Sequence, residues 1–147
     1  MKTTINAVVL LLLQISFVGA IGCSRSKPAA PPEKHEEPEA IARTEFTGRI
    51  ENYFEYEPLH AGKSSQVRIH LTDLNDGSPV AQAEVSLTVR HKGTSEAIVQ
   101  TTAQIGKVTG IYVAQLNVPQ SGAYDVEFRV KNSVLDETLA LANFKVE

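Results

Sequence analysis

From Ser65 to Thr72 apolar and polar residues alternate without a break, with Val67, Ile69 and Leu71 on one face. Val85, Leu87 and Val89 repeat the pattern against Ser86, Thr88 and Arg90. Tyr124, Val126, Phe128 and Val130 repeat it against Asp125, Glu127 and Arg129. A period of two fits a strand with one face buried and cannot give a helix an apolar stripe. Three further segments, Asn52 to Glu57, Glu96 to Ala103 and Gly110 to Val118, are rich in β-branched and aromatic residues. Leu139 and Leu141 alternate with Ala140 and Ala142, and Phe144 and Val146 continue on the other parity, which places a bulge near Asn143. Val134 to Ala142 also has a helix-like spacing, but its alternation favours a final strand.

Turn signals divide these segments: Pro58 with Gly62, Asn75-Asp76-Gly77, Gly93, Gly106, Pro119 with Gly122, and Asn132-Ser133. About seven strands at this spacing predict an all-β, Ig-like antiparallel β-sandwich over residues 44–147. Tyr124 opens a strand just after Pro119-Gln120-Ser121-Gly122. That is the place of the tyrosine corner in Ig-type sandwiches, where the hydroxyl bonds back to the preceding connection.

The first 43 residues have a different character. Lys2 is the only charged residue before Cys23, and Ala7 to Val18 is apolar apart from Gln14 and Ser16. The apolar stretch matches the 7–15 residues of a signal h-region, as residues 1–22 of a leader would require. Taken from Ile5 to Ile21 it also approaches the roughly 20 residues of a spanning helix, so an uncleaved anchor is the alternative. Ala20-Ile21-Gly22-Cys23 resembles the bacterial lipobox, with Ala20 where leucine is usual. The resemblance implies cleavage between Gly22 and Cys23 and acylation of Cys23. Two or more acyl chains anchor a protein stably where one does not. Ser24 follows, with no aspartate to signal inner-membrane retention, so the expected address is the outer membrane, facing the periplasm.

Residues 23–43 read as a linker rich in proline and glutamate, with no apolar periodicity. Prolines bias such a segment toward polyproline II, which at ~3.1 Å per residue reaches about 60 Å.

Composition excludes several function classes. The net charge is −3, and loss of the leader with its single lysine makes it −4. No basic face for nucleic acid is expected. Cys23 is the only cysteine and Met1 the only methionine, so the domain has no disulfide, thiolate site or soft-metal site to offer. No enzyme is expected, since neither a nucleophile elbow nor a His-Glu-x-x-His motif occurs. Glu36-Glu37 lies in the linker, where no scaffold holds a carboxylate pair. Gly62-Lys63-Ser64 lacks the upstream glycine of a phosphate loop, with Glu57 at that position, so a polar turn and no nucleotide are expected. Asp73 to Gly77 has its glycine one place early for a calcium loop and fits a tight turn. His35 lies in the linker. His70 shares a strand face with Arg68 and Thr72 and is expected to be solvated, and His91 sits between two cations. His60, with Glu55 and Glu57 nearby, is the one weak candidate for a divalent metal. The plainer reading is an exposed loop histidine, and no resident cofactor is expected. Tyr53, opposite in parity to Phe54 and Tyr56, is either an edge-packing residue or part of a contact surface.

Asn52-Tyr53-Phe54-Glu55-Tyr56-Glu57-Pro58-Leu59, Ala61-Gly62-Lys63, Ile69 to Leu74 and Gly77-Ser78-Pro79-Val80 resemble one module. It is the N-terminal β domain of some periplasmic adaptors of heavy-metal cation efflux pumps, in the wider group of FixH/YtkA-like Ig-type domains. Gly110-Ile111-Tyr112 and Pro119 to Asp125 fit the same pattern. The resemblance covers roughly residues 46–146, and the helical hairpin, lipoyl domain and β-barrel of an adaptor have no counterpart here. It implies a lipid-anchored, non-enzymatic accessory of cation efflux whose partners are the membrane, through Cys23, and efflux or other envelope proteins. The contrasting expectation is an envelope interaction module with no metal role.

Replacement of Cys23 by alanine is expected to abolish metabolic labelling of the chain with a clickable fatty acid; unchanged labelling would contradict acylation at this residue.

Overall fold

The computed structural model describes residues 39–147. The leader, Cys23 and most of the expected linker lie outside the described residues. Nine strands follow one another: β1 (Ile41–Phe46), β2 (Ile50–Tyr56), β3 (Ser64–Asp73), β4 (Glu84–His91), β5 (Ala97–Thr102), β6 (Gln104–Ile105), β7 (Ile111–Asn117), β8 (Gly122–Lys131) and β9 (Asp136–Val146). They form two antiparallel sheets, β1-β2-β3-β7-β6 and β5-β4-β8-β9. The fold is a β-sandwich. All seven expected strands are present, and β1 and β6 are additional.

The alternation read from the sequence becomes the core. Phe54, Val67, Ile69, Leu71, Ala114 and Leu116 face inward from the first sheet, and Val85, Leu87, Val89, Val126, Phe128 and Val130 from the second. Phe54 meets Phe128 across the sandwich with ring centroids 4.9 Å apart. Each of these side chains larger than alanine contributes about 1.5–3 kcal/mol by leaving water. Asn52 is the exception on this face: it is fully buried, and its amide has no hydrogen-bond partner among the described residues.

β1 starts at Ile41, so the last three residues of the expected linker are paired with β2, Ile41 lying opposite Tyr56. Its two positions that face the seam carry charge, which hides it from a hydrophobic pattern: Arg43 pairs with Glu45 at 2.9 Å. Arg43 also reaches the far sheet, with its guanidinium 5.0 Å from the Phe144 ring and donating to the Ala142 carbonyl at 3.3 Å. The bulge in β9 falls at Asn143, whose φ is 67°. Tyr124 pairs with Phe144 and Val126 with Leu141, so Ala142 and Asn143 both face Asp125 and the inward parity switches.

Two tyrosines fix the connections between the sheets. Tyr124 donates to the Gln120 carbonyl at 2.7 Å, forming the expected corner. Tyr112, on β7, donates to the Val80 carbonyl at 2.8 Å and accepts from the Ala83 N–H at 3.0 Å. It thereby holds the segment that leaves the first sheet to begin β4 in the second. Beside it, Gly110 has φ 83°, and a Cβ there would lie 2.5 Å from Cβ of Pro79, so both conformation and space require glycine.

The registers define two poles. The chain enters β1 at one pole, together with the turns 57–63, 92–96 and 118–121 and the C-terminal Glu147. Turns 47–49, 74–83, 106–110 and 132–135 make up the opposite, distal pole.

Tyr112→Phe leaves a buried N–H and a buried carbonyl without their partner and is expected to lower stability by about 1–3 kcal/mol. Tyr124→Phe frees a carbonyl on an exposed residue and should cost only ~1 kcal/mol. Urea unfolding of the two variants checks the order; equal losses would contradict the assigned roles.

Candidate functional site

The residues singled out from the sequence do not converge. His60 is exposed and begins a tight turn in which the Lys63 N–H donates to its carbonyl at 3.1 Å and Gly62 has φ 72°. Gly62-Lys63-Ser64 is therefore the polar turn expected. Glu55, on the outer face of β2, accepts the Tyr53 hydroxyl at 2.6 Å and lies 3.9 Å from the Arg68 guanidinium. Glu57 is exposed past the end of that strand. Among the described residues no group of three or more His, Cys, Asp or Glu side chains is gathered as a metal site needs.

The Asp73–Gly77 segment is a tight turn. The Gly77 N–H donates to the Asp73 carbonyl at 2.9 Å, and Thr72 bridges to Pro79. Its carboxylates serve the turn: Asp73 accepts from the Asn75 N–H and Asp76 from the Ser78 N–H, both at 2.9 Å.

His70 corrects the expectation of a solvated residue. It is half-buried, with Nε2 shielded from solvent and without a partner among the described residues. The period-two reading gave its face correctly but not its neighbour. Tyr53 stands directly opposite on β2, and its ring meets the imidazole edge-on with centroids 5.3 Å apart. Tyr53 is thus packed on the sheet face. Its hydrogen bond to Glu55 raises its pKa above the ordinary tyrosine value. His91 closes β4 and stacks on Tyr124 with centroids 4.9 Å apart. His35 and Cys23 lie outside the described residues.

The outer face of the second sheet is charged and internally paired. Arg90 lies 3.4 Å from Glu127. Arg129 holds Asp136 through two parallel bonds of 3.1 Å, with Lys131 at 3.8 Å from the same carboxylate. Exposed, solvent-screened pairs of this kind add little to stability and leave little free charge for a ligand.

What remains unmatched is apolar. Among the described residues six large hydrophobic side chains are exposed, and five of them sit at the distal pole: Phe46 (63%), Leu74 (45%), Ile105 (63%), Val108 (61%) and Val134 (70%). Ile41, at the entry, is the sixth. The 106–110 loop stands between two shallow grooves of about 220 and 190 Å³. His70, Pro79, Val108 and Ile111 line one, and Gln82, Ile105 and Lys107 the other. Gln82 holds φ 49°, a conformation that costs a non-glycine residue of order 1 kcal/mol or more. Sequence reasoning missed this pole, although a signal was present. Leu74, Val108 and Val134 are apolar residues inside turn segments, where a connection gains nothing from them by burial.

No family model matches the chain, and no curated protein shows significant similarity to it.

Three exposed carboxyls are held below their ordinary pKa: Asp136 by its hydrogen bond from Arg129, Asp76 by its bonds from Ser78, and Glu147 by Lys145. A carboxyl depressed in the folded state adds stability above its unfolded pKa and loses it as pH falls through the folded value. The urea midpoint is expected to hold down to about pH 5 and to fall below about pH 4. Asp136→Asn should shrink that fall, and an unchanged pH profile would contradict the Arg129–Asp136 contribution.

Proposed function

We propose that the protein is a membrane-tethered, non-enzymatic β-sandwich that acts by protein contact in the cell envelope, as an accessory of heavy-metal or cation efflux. Acylated Cys23 holds it to the membrane, with the outer membrane facing the periplasm as its site. The observation that carries the contact role is the placement of the exposed apolar side chains. Five of the six project from the pole opposite the entry of the chain, where a tether leaves them free to meet a partner. Large exposed apolar groups concentrated in one region mark an interaction surface more often than chance exposure does.

The resemblance of residues 52–80 to the N-terminal domain of cation-efflux adaptors supports efflux as the process served. Between capture of a metal and contact with a protein, contact is the better supported mode. Glu55 is engaged by Tyr53 and Arg68, and the His60 turn brings no three-ligand group together. The same geometry fits an envelope interaction module with no metal role, and the identity of the partner separates the two.

A photo-reactive amino acid at Val108 is expected to give an adduct with an efflux adaptor or channel in intact cells, whereas one at His60 is not. An adduct only with proteins unrelated to transport would leave the contact role and remove efflux. Adducts from His60 alone would contradict the distal assignment.

A further inference from the structure

The four strand edges of the sandwich are not equally protected. On one side, β1 and β9 are joined across the seam by Arg43, which donates to Ala142 at the β9 bulge and covers Phe144. The end of β9 is further covered by Leu59, whose carbonyl accepts from the Glu147 N–H at 2.8 Å. On the other side, β6 has only two residues, and β5 closes the second sheet with no strand beyond it among the described residues.

β5 has none of the usual guards over most of its length. Residues 97–106, Ala-Ile-Val-Gln-Thr-Thr-Ala-Gln-Ile-Gly, contain no charge and no proline. A register shift against Val89 and Arg90 leaves Ile98 as a bulge, so the regular stretch runs from Val99 to Ala103. Its cross-strand neighbours on the outer face, Ser86 and Thr88, are also uncharged. A neighbouring groove of about 220 Å³, lined by Thr101, Thr102, Gln104, Val113 and Gln115, adds no charge. Natural sheets place lysine, proline or a bulge on an edge that must stay single, and the five residues from Val99 to Ala103 lack all three.

The hydrogen-bond parity identifies the groups on offer. The Ala103 N–H donates to the Val85 carbonyl at 2.8 Å, so Val85 and Ala103 form a hydrogen-bonded pair. Alternation along an antiparallel ladder then turns the backbone N–H and C=O of Gln100 and Thr102 away from β4. These groups have no strand neighbour among the described residues.

We propose that β5 pairs antiparallel with β5 of a second copy of this chain, across a two-fold axis through Thr101. That register sets Gln100 of each copy opposite Thr102 of the other, so the free groups of one edge meet those of its mate. A neutral edge faces itself without the like-charge opposition that would disfavour self-pairing. The pairing leaves the distal pole open and does not depend on what binds there. Ala103 is where the chain turns from the second sheet toward β6, so the shared ladder ends there.

In full-length chain at the membrane, a Gln100→Cys, Thr102→Cys double variant is expected to give a disulfide-linked dimer on mild oxidation. Lys145→Cys, on the opposite edge, should give none. In detergent solution wild type should sediment as a dimer, Gln100→Lys with Thr102→Lys as a monomer, and Gln100→Lys with Thr102→Glu as a dimer again. A monomeric wild type, a failure of the 100/102 cysteines to link, or a dimer indifferent to the charge pairs would each overturn the proposal. Adducts at Val108 should be unaffected by any of these variants.

Discussion

The Tyr112 hydroxyl carries the junction on which the distal half of the molecule depends. It is buried on β7 of the first sheet and is bonded to both ends of the short segment that opens the second, at Val80 and Ala83. One residue thus fixes where the chain changes sheets. Gly110 adds a steric condition, since its contact with Pro79 leaves no room for a side chain. Together they set loops 74–83 and 106–110 side by side, and the grooves between them follow. The energetic weight is that of two backbone groups that would otherwise be buried unpaired, which makes the hydroxyl worth more than a single surface bond.

The core was legible in the sequence because a period of two has one structural meaning when one face is dry. Val67, Ile69 and Leu71, and Val126, Phe128 and Val130, lie inward as the alternation requires. The parity switch at Asn143 and the corner at Tyr124 were legible for the same reason, since each is a local rule with a local signal. β1 was not, because its seam-facing residues are Arg43 and Glu45, and Arg43 is held there by Phe144 and Ala142, almost a hundred residues away. His70 failed in the same manner. Its face was readable, but its shielding comes from Tyr53 on the neighbouring strand. The distal pole left only a faint trace, in the apolar residues set inside turns.

The two ends of the sandwich differ in kind. At the entry, the C-terminal strand, the His60 turn and the Tyr124 corner are joined by backbone bonds, with the Ala61 N–H donating to the Glu147 carbonyl at 2.7 Å and the Gly62 N–H to the Val118 carbonyl at 2.8 Å. At the far end, apolar side chains stand in solvent around a loop flanked by two glycines. Under the proposed tethering, the bonded end lies nearer the anchor and the apolar end faces outward. On the outer face of the second sheet, Arg90 and Glu127, and Arg129 and Asp136, neutralise one another where they stand.

Hydrogen exchange on the full-length protein, compared between intact envelopes and detergent solution, tests this polarity most directly. The account predicts added protection in envelopes at the distal segments 46–49, 74–82, 105–110 and 132–135, with the entry-pole segments 58–63 and 118–121 unchanged. Protection confined to the entry pole, or no difference between the two preparations, would contradict it.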